Sequence, residues 1–141
     1  MKDNFVIQLV TWQTHAALLK KVREEVFIKE QHVPVALEWD GMDQAAQHLL
    51  ALSDAGEPVG CARLTGGGSI GRMAVLKTWR GLGVGRALLT KAVSLYQQQG
   101  VERITLSAQM HAIAFYEKSG FEGCGEPYLD ADILHIDMRL K

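Results

Sequence analysis

Apolar and polar residues alternate with period two over Phe5–Val10, which predicts a first strand. The pattern then shifts to a helical spacing of Leu18, Leu19, Val22, Val26 and Phe27, predicting a helix capped by Thr14 and running to about Glu30. Pro34 ends it, because the residue before a proline avoids helical angles. Val35 to Ala45 has no periodicity and reads as irregular, with Glu38, Asp40 and Asp43 gathered around Trp39. Gln47–Ser53 and Val59–Leu64 predict two strands joined by the turn-rich Asp54-Ala-Gly-Glu-Pro58. Gly66-Gly67-Gly68 separates these from a third strand, Ser69–Val75.

A second helical period covers about Gly83 to Gln99, with Val84, Leu88, Ala92, Leu95 and Tyr96 inward and Gly100 as the stop. Val101–Ser107 reads as a strand and His111–Ser119 as a short helix ended by Gly120. Ile133–Leu140 alternates again, setting Leu134, Ile136, Met138 and Leu140 on one face and His135, Asp137 and Arg139 on the other. The order β-α-β-β-β-α-β-α-β predicts an α/β layer architecture, a mixed sheet covered by helices. With 141 residues and 48% hydrophobic content, one domain spanning 1–141 has enough material for a core.

Charge narrows the function classes. Fifteen Lys and Arg against sixteen Asp and Glu leave a net charge of −1, which argues against a nucleic-acid partner. No apolar run approaches the roughly 20 residues that cross a bilayer, and the start Met1-Lys-Asp-Asn-Phe5 is unlike a secretion signal. Cys61 and Cys124 make no disulfide framework, so the expected compartment is the cytoplasm. The histidines at 15, 32, 48 and 111 lack metal-ligand spacing, and no metal is expected.

The candidate chemistry sits where strand Met73-Ala-Val75 runs into Arg80-Gly-Leu-Gly-Val-Gly-Arg86 at the start of a helix. Such a turn offers free backbone N–H groups and the positive end of a helix dipole to a phosphate. A nucleoside-triphosphate loop would need Lys-Ser/Thr after the glycines, and a dinucleotide fingerprint fails in both glycine frames. Arg/Gln-x-x-Gly-x-Gly/Ala fits at every position from Arg80 to Gly85.

That pattern, behind the strand Arg72-Met-Ala-Val75, resembles the acetyl-CoA-binding motif of the GNAT N-acetyltransferase superfamily. Ala112-Ile-Ala-Phe-Tyr116-Glu-Lys-Ser-Gly-Phe121 is similar to the family's second signature. Arg23–Gln31, Ser107-Ala-Gln109, Gly125-Glu-Pro-Tyr128 and Ile133–Met138 resemble the narrower ElaA-like branch, with Gln109 where many GNAT members carry Asn. The resemblance implies a mixed, mostly antiparallel central sheet flanked by helices. It also implies an acetyl-CoA-dependent N-acetyltransferase acting on a primary amine of a small molecule or peptide by direct attack.

The resemblance carries roles to matching positions. Gly81, Leu82, Gly83, Val84, Gly85 and Arg86 would hold the CoA pyrophosphate with Arg80; Met73, Ala74 and Val75 would pair with the pantetheine arm and polarise the thioester carbonyl. Tyr116 would be the general acid for a departing thiolate whose conjugate thiol has a reference pKa of about 8.5. His135 is the best candidate base by residue type, with Glu126, Glu30 and Glu25 as rivals. Trp39 with Glu38 and Asp40 would suit an acceptor pocket for a cationic amine, or else an ordinary loop anchored by one tryptophan. Cys124 reads as a small buried residue, since direct transfer needs no nucleophile.

Two rival readings come from different classes. One is a non-catalytic CoA-binding sensor or interaction module on the same fold. The other is an acyl-homoserine-lactone type of synthase, which Arg23 with Val26-Phe27 faintly resembles. An edge strand at the C-terminus could pair with a second copy to form a homodimer.

Overall fold

All the strands pair into one sheet, ordered β1 (Phe5–Val10), β2 (Gln47–Ser53), β3 (Pro58–Thr65), β4 (Ser69–Val75), β5 (Thr105–Gln109), β8 (Ile133–Leu140) and β6 (Phe121–Gly123). A short strand β7 (Tyr128–Asp130) also pairs with β8. Every pairing is antiparallel except β4 with β5. The computed structural model describes residues 4–141; Met1 to Asp3, from which the start of the chain is read, lie outside the described residues.

Helices cover both faces because the central strands are apolar on both. Helix α1 (Trp12–Arg23) and a π-helical continuation (Glu24–Glu30) bury Leu19, Val22, Val26 and Phe27 against Val10, Leu50, Cys61 and Ala74. After the one-turn α2 (Val35–Glu38), helix α3 (Val84–Gln98) buries Val84, Leu88, Leu89, Ala92 and Tyr96 against Leu49, Ala51, Ala62 and Leu64 on the opposite face. Consecutive residues Leu49 and Leu50 thus serve different cores, as the period of a strand requires. Truncating a fully buried leucine such as Leu88 to alanine costs about 2–5 kcal/mol. A last helix, α4 (Ile113–Lys118), packs beside β5 and β6.

Five of the expected strands and helix α3 stand within a residue or so of their predicted limits. Other details differ. The first helix is capped by the side chain of Thr11, which accepts from Thr14 N–H at 3.2 Å, so Thr14 lies one turn inside. Its C-terminal half widens to π geometry from Glu24 to Glu30. The strand expected at Val101–Ser107 forms at Thr105–Gln109 instead, because Val101 N–H still bonds the carbonyl of Tyr96 at the end of α3. The short strands β6 and β7 were not expected, so β8, expected as a C-terminal edge open to a second copy, is instead flanked by β5 on one side and by β6 and β7 on the other, and Val35–Glu38 is helical rather than irregular.

Candidate functional site

Strands β4 and β5 are joined by only two register pairs, Ser69↔Thr105 and Ile70↔Leu106. Beyond them β4 continues along β3 as far as Val75, while β5 continues along β8 as far as Gln109 opposite His135. The sheet therefore splits into a V. Its divergence begins at a bulge in β4, where Arg72 and Met73 oppose the single residue Ala62 between the pairs Arg63↔Gly71 and Cys61↔Ala74. Arg72 adopts φ +46°, unusual outside glycine, and a bulge of this kind bends and twists the strand that carries it. The edge of β4 facing β5 is thereby left without a partner strand after Ile70.

One cleft of about 970 Å³ occupies this V and runs along the start of α3. Met73, Ala74, Val75, Arg80, Gly81, Gly83, Val84, Gly85 and Arg86 all line it; of the residues read from the glycine motif only Leu82 does not, its side chain pointing to solvent. Gly83, at φ +88°, opens α3, and no side chain among the described residues caps that terminus. The first N–H groups of the helix are therefore available to an anion. Gly85 allows close packing: a Cβ there would stand 3.3 Å from Phe115 Cζ.

Tyr116 reaches into the same cleft from α4. Its ring packs edge-on against Phe115 and Phe121, and its hydroxyl lies 3.9 Å from Met73 Sδ on the β4 bulge. Burial pushes the phenol up to about 12, so it carries its proton at any physiological pH. His135 lines the cleft as well. Its Nδ1 lies 2.6 Å from the carbonyl of Ile133, which can only accept, so Nδ1 bears a proton, and in the neutral imidazole Nε2 is the nitrogen with the lone pair.

A family model described as acetyltransferase (GNAT) domain matches residues 13–141. The chain belongs to the GNAT acetyltransferase family. It is 37% identical over 121 residues to the uncharacterized N-acetyltransferase YjcF of Bacillus subtilis, covering 83% of this chain and 86% of that one. Among solved structures, an acyl-CoA N-acyltransferase from Pseudomonas aeruginosa is 33% identical with a TM-score of 0.81, covering 98% of this chain and 99% of the other. ElaA from Escherichia coli is 26% identical with a TM-score of 0.86, over 98% and 100% of the two chains. The expected recognition and fold class, a mixed, mostly antiparallel GNAT sheet flanked by helices, are borne out.

Within this GNAT fold the remaining candidates separate. Glu126 is exposed in the link between β6 and β7 and does not line the cleft, so the structure does not bring it together with Tyr116 and His135. Glu25 is exposed and pairs with Lys29 at 3.4 Å. Glu30 does line the cleft, but it receives Arg80 Nη1 and Nη2 at 2.7 and 2.6 Å, and those hydrogen bonds hold its carboxyl below the usual range. A carboxylate so held is a poor base. Cys124 is half-buried and its N–H donates to the carbonyl of Asp137, while burial pushes the Cys61 thiol up to about 12.

The acidic group around Trp39 is also committed elsewhere. Arg23, 1% exposed, donates to Glu38 Oε2 at 2.7 Å and to Asp43 Oδ1 at 2.6 Å. Arg63 donates to both Asp40 oxygens at 2.9 Å and to Asp43 at 3.0 Å, and Arg72 Nη2 reaches Asp40 Oδ2 at 3.2 Å. Three guanidinium groups thus offset three carboxylates, and the Arg23 guanidinium stands 4.9 Å from the Trp39 ring centroid. Glu38 and Asp40 line the cleft while held in these pairs, Trp39 does not line it, and Arg23 is taken up by Glu38 and Asp43. Sequence reasoning gave no role to Gln31, whose amide pairs reciprocally with that of Gln109 at 2.8 and 3.3 Å. It gave none to Tyr128, since a three-residue strand carries no detectable period.

Proposed function

We propose that the chain, as one domain over residues 1–141, transfers an acetyl group from acetyl-CoA to a primary amine of a small molecule or peptide. The observation that carries this reading is a single cleft joining three things: an uncapped helix N-terminus, an unpaired β4 edge and the Tyr116 hydroxyl 3.9 Å from Met73. The cleft suits a CoA thioester laid along it, with the pyrophosphate on the N–H groups of α3 and Arg86 nearby, which has no ion-pair partner among the described residues.

The chemistry follows in balanced steps. His135 Nε2 takes a proton from the ammonium form of the acceptor, freeing its lone pair. The amine attacks the thioester carbon, and the carbonyl electrons move onto oxygen, where an N–H from Met73–Val75 stabilises the charge. Collapse of the tetrahedral intermediate breaks the C–S bond with the electron pair leaving on sulfur, toward which the Tyr116 O–H donates a hydrogen bond; the surplus proton of the new amide nitrogen passes through water to the thiolate, releasing CoA thiol, and His135 returns its proton to solvent. A phenol raised to about 12 is a weaker acid than an exposed thiol. The same apolar surroundings penalise a bare thiolate, so a hydrogen bond strengthening as the bond breaks is the useful contribution. No acyl-enzyme is required.

Residence in the cytoplasm belongs to the same proposal, as does an acceptor that is neither nucleic acid nor membrane. A test is calorimetric titration with acetyl-CoA followed by substitution of Gly83. Gly83→Val forces a β-branched residue to φ +88° at the mouth of α3, and the account expects binding to weaken by about tenfold or more. Unchanged affinity would remove the glycine turn from the donor site.

A further inference from the structure

His135 is held on three sides. Its Nδ1–H is fixed by the carbonyl of Ile133 at 2.6 Å. On β5 its cross-strand neighbour is Gln109, whose amide is locked to Gln31. On β7 its cross-strand neighbour is Tyr128, and here the two rings stack, with centroids 6.0 Å apart and planes 20° from parallel. We infer that Tyr128 is a positioning residue for His135, clamping the imidazole so that the unprotonated Nε2 is presented to the acceptor amine.

Tyr128 is itself restrained. Its hydroxyl donates to Asp137 Oδ1 at 2.7 Å and is hydrogen-bonded to Ser107 Oγ. Ser107 and Asp137 are a register pair on β5 and β8, so three strands converge on one phenol oxygen. Burial, with Asp137 acting in the same direction, raises this phenol, which keeps its proton and its donor role. An exposed tyrosine ring ordinarily turns freely; tethered at its tip and stacked along its face, this one cannot leave the imidazole. The three-residue strand β7 does little else for the fold, since Tyr128, Leu129 and Asp130 are all exposed. Its register alone sets the ring over His135.

This inference depends on His135 acting as the base, and the experiment keeps the two apart. In protein with 15N-labelled histidine observed at alkaline pH, where imidazoles are neutral, the wild type should show His135 as the single Nδ1–H tautomer. Tyr128→Phe keeps the stack and should preserve that signature, while Tyr128→Ala should give averaged ring nitrogens. With n-butylamine and acetyl-CoA, Tyr128→Ala should lower kcat by about 10–100-fold, the range expected for a supporting partner, leaving the KM for acetyl-CoA unchanged. Tyr128→Phe should restore most of the loss. A Tyr128→Ala protein that keeps the single tautomer overturns the inference, as does one whose KM for acetyl-CoA rises while kcat holds. Full activity in His135→Gln overturns the base assignment itself, whatever the tautomer shows.

Discussion

Arg80 and Glu30 meet edge to edge, Nη1 to Oε2 at 2.7 Å and Nη2 to Oε1 at 2.6 Å, while Arg80 Nε donates to the carbonyl of Val75 at 2.9 Å. The pair ties the end of the π-helical segment to the glycine turn. Both side chains are substantially exposed, so the pair itself contributes no more than about 1 kcal/mol and opens readily for a competing anion. Removing the carboxylate should therefore help the donor: Glu30→Gln should tighten CoA binding by about 2–5-fold. Arg80→Ala should weaken it by about tenfold, both read by titration calorimetry. Equal affinity in all three proteins would show that Arg80 has no part in holding the donor.

Tyr116→Phe should lower kcat by about 100-fold with the KM for acetyl-CoA nearly unchanged, since the hydroxyl acts only as the C–S bond breaks. The folded-state phenol is raised to about 12, so it stays protonated from neutral pH through pH 10. Rate profiles should thus show no alkaline fall attributable to this residue in that window. A fall centred below pH 10 that disappears in Tyr116→Phe would contradict the assignment.

An imidazole that must accept a proton is idle once protonated. His135→Gln, which cannot accept that proton, should therefore lose about 100-fold of the wild-type rate at neutral pH. The readout is CoA release with one alkylamine acceptor.

Stability should depend on the buried arginine–carboxylate group. Hydrogen bonds from Arg63 hold the Asp40 carboxyl down to about 2 against an ordinary 3.8. A depressed carboxylate stabilises the fold above its unfolded value and loses that contribution as pH falls from about 4 toward 2. Allowing for partial exposure of Asp40, the contribution is about 1 kcal/mol. Glu38 works the other way: burial raises its carboxyl, so its charged form is a cost that grows as pH rises past 4.5. Urea unfolding at pH 7 and pH 3 should show a smaller acid loss in Asp40→Asn than in the wild type. Arg23→Met, which leaves Glu38 and Asp43 facing each other without their shared cation, should cost about 3–5 kcal/mol at pH 7.

The sequence made the donor side legible and the acceptor side obscure, for a physical reason. Glycines, a β-branched strand and a helical stripe are local signals, so β4, the turn and α3 could be read within a residue or two. Tyr116 followed from the resemblance of Ala112–Phe121 to the family's second signature. The ion group joins Arg23 to Glu38 and Asp43, and Arg63 and Arg72 to Asp40, across 15 to 32 positions, and no local pattern records such pairings. Likewise β6 and β7, of three residues each, are too short to show alternation; they exist because β8 offers them a free edge. The glycine turn at the start of α3 was thus read from motif, whereas Tyr128 beside His135 and Gln31 beside Gln109 emerged only from the folded register.

The most direct test of the central claim is release of free thiol from acetyl-CoA across a panel of primary amines, with the acetylated amine identified by mass. The account predicts amine-dependent release that falls about 100-fold in Tyr116→Phe. Tight binding of acetyl-CoA with no release for any amine, or release that Tyr116→Phe leaves untouched, would contradict it.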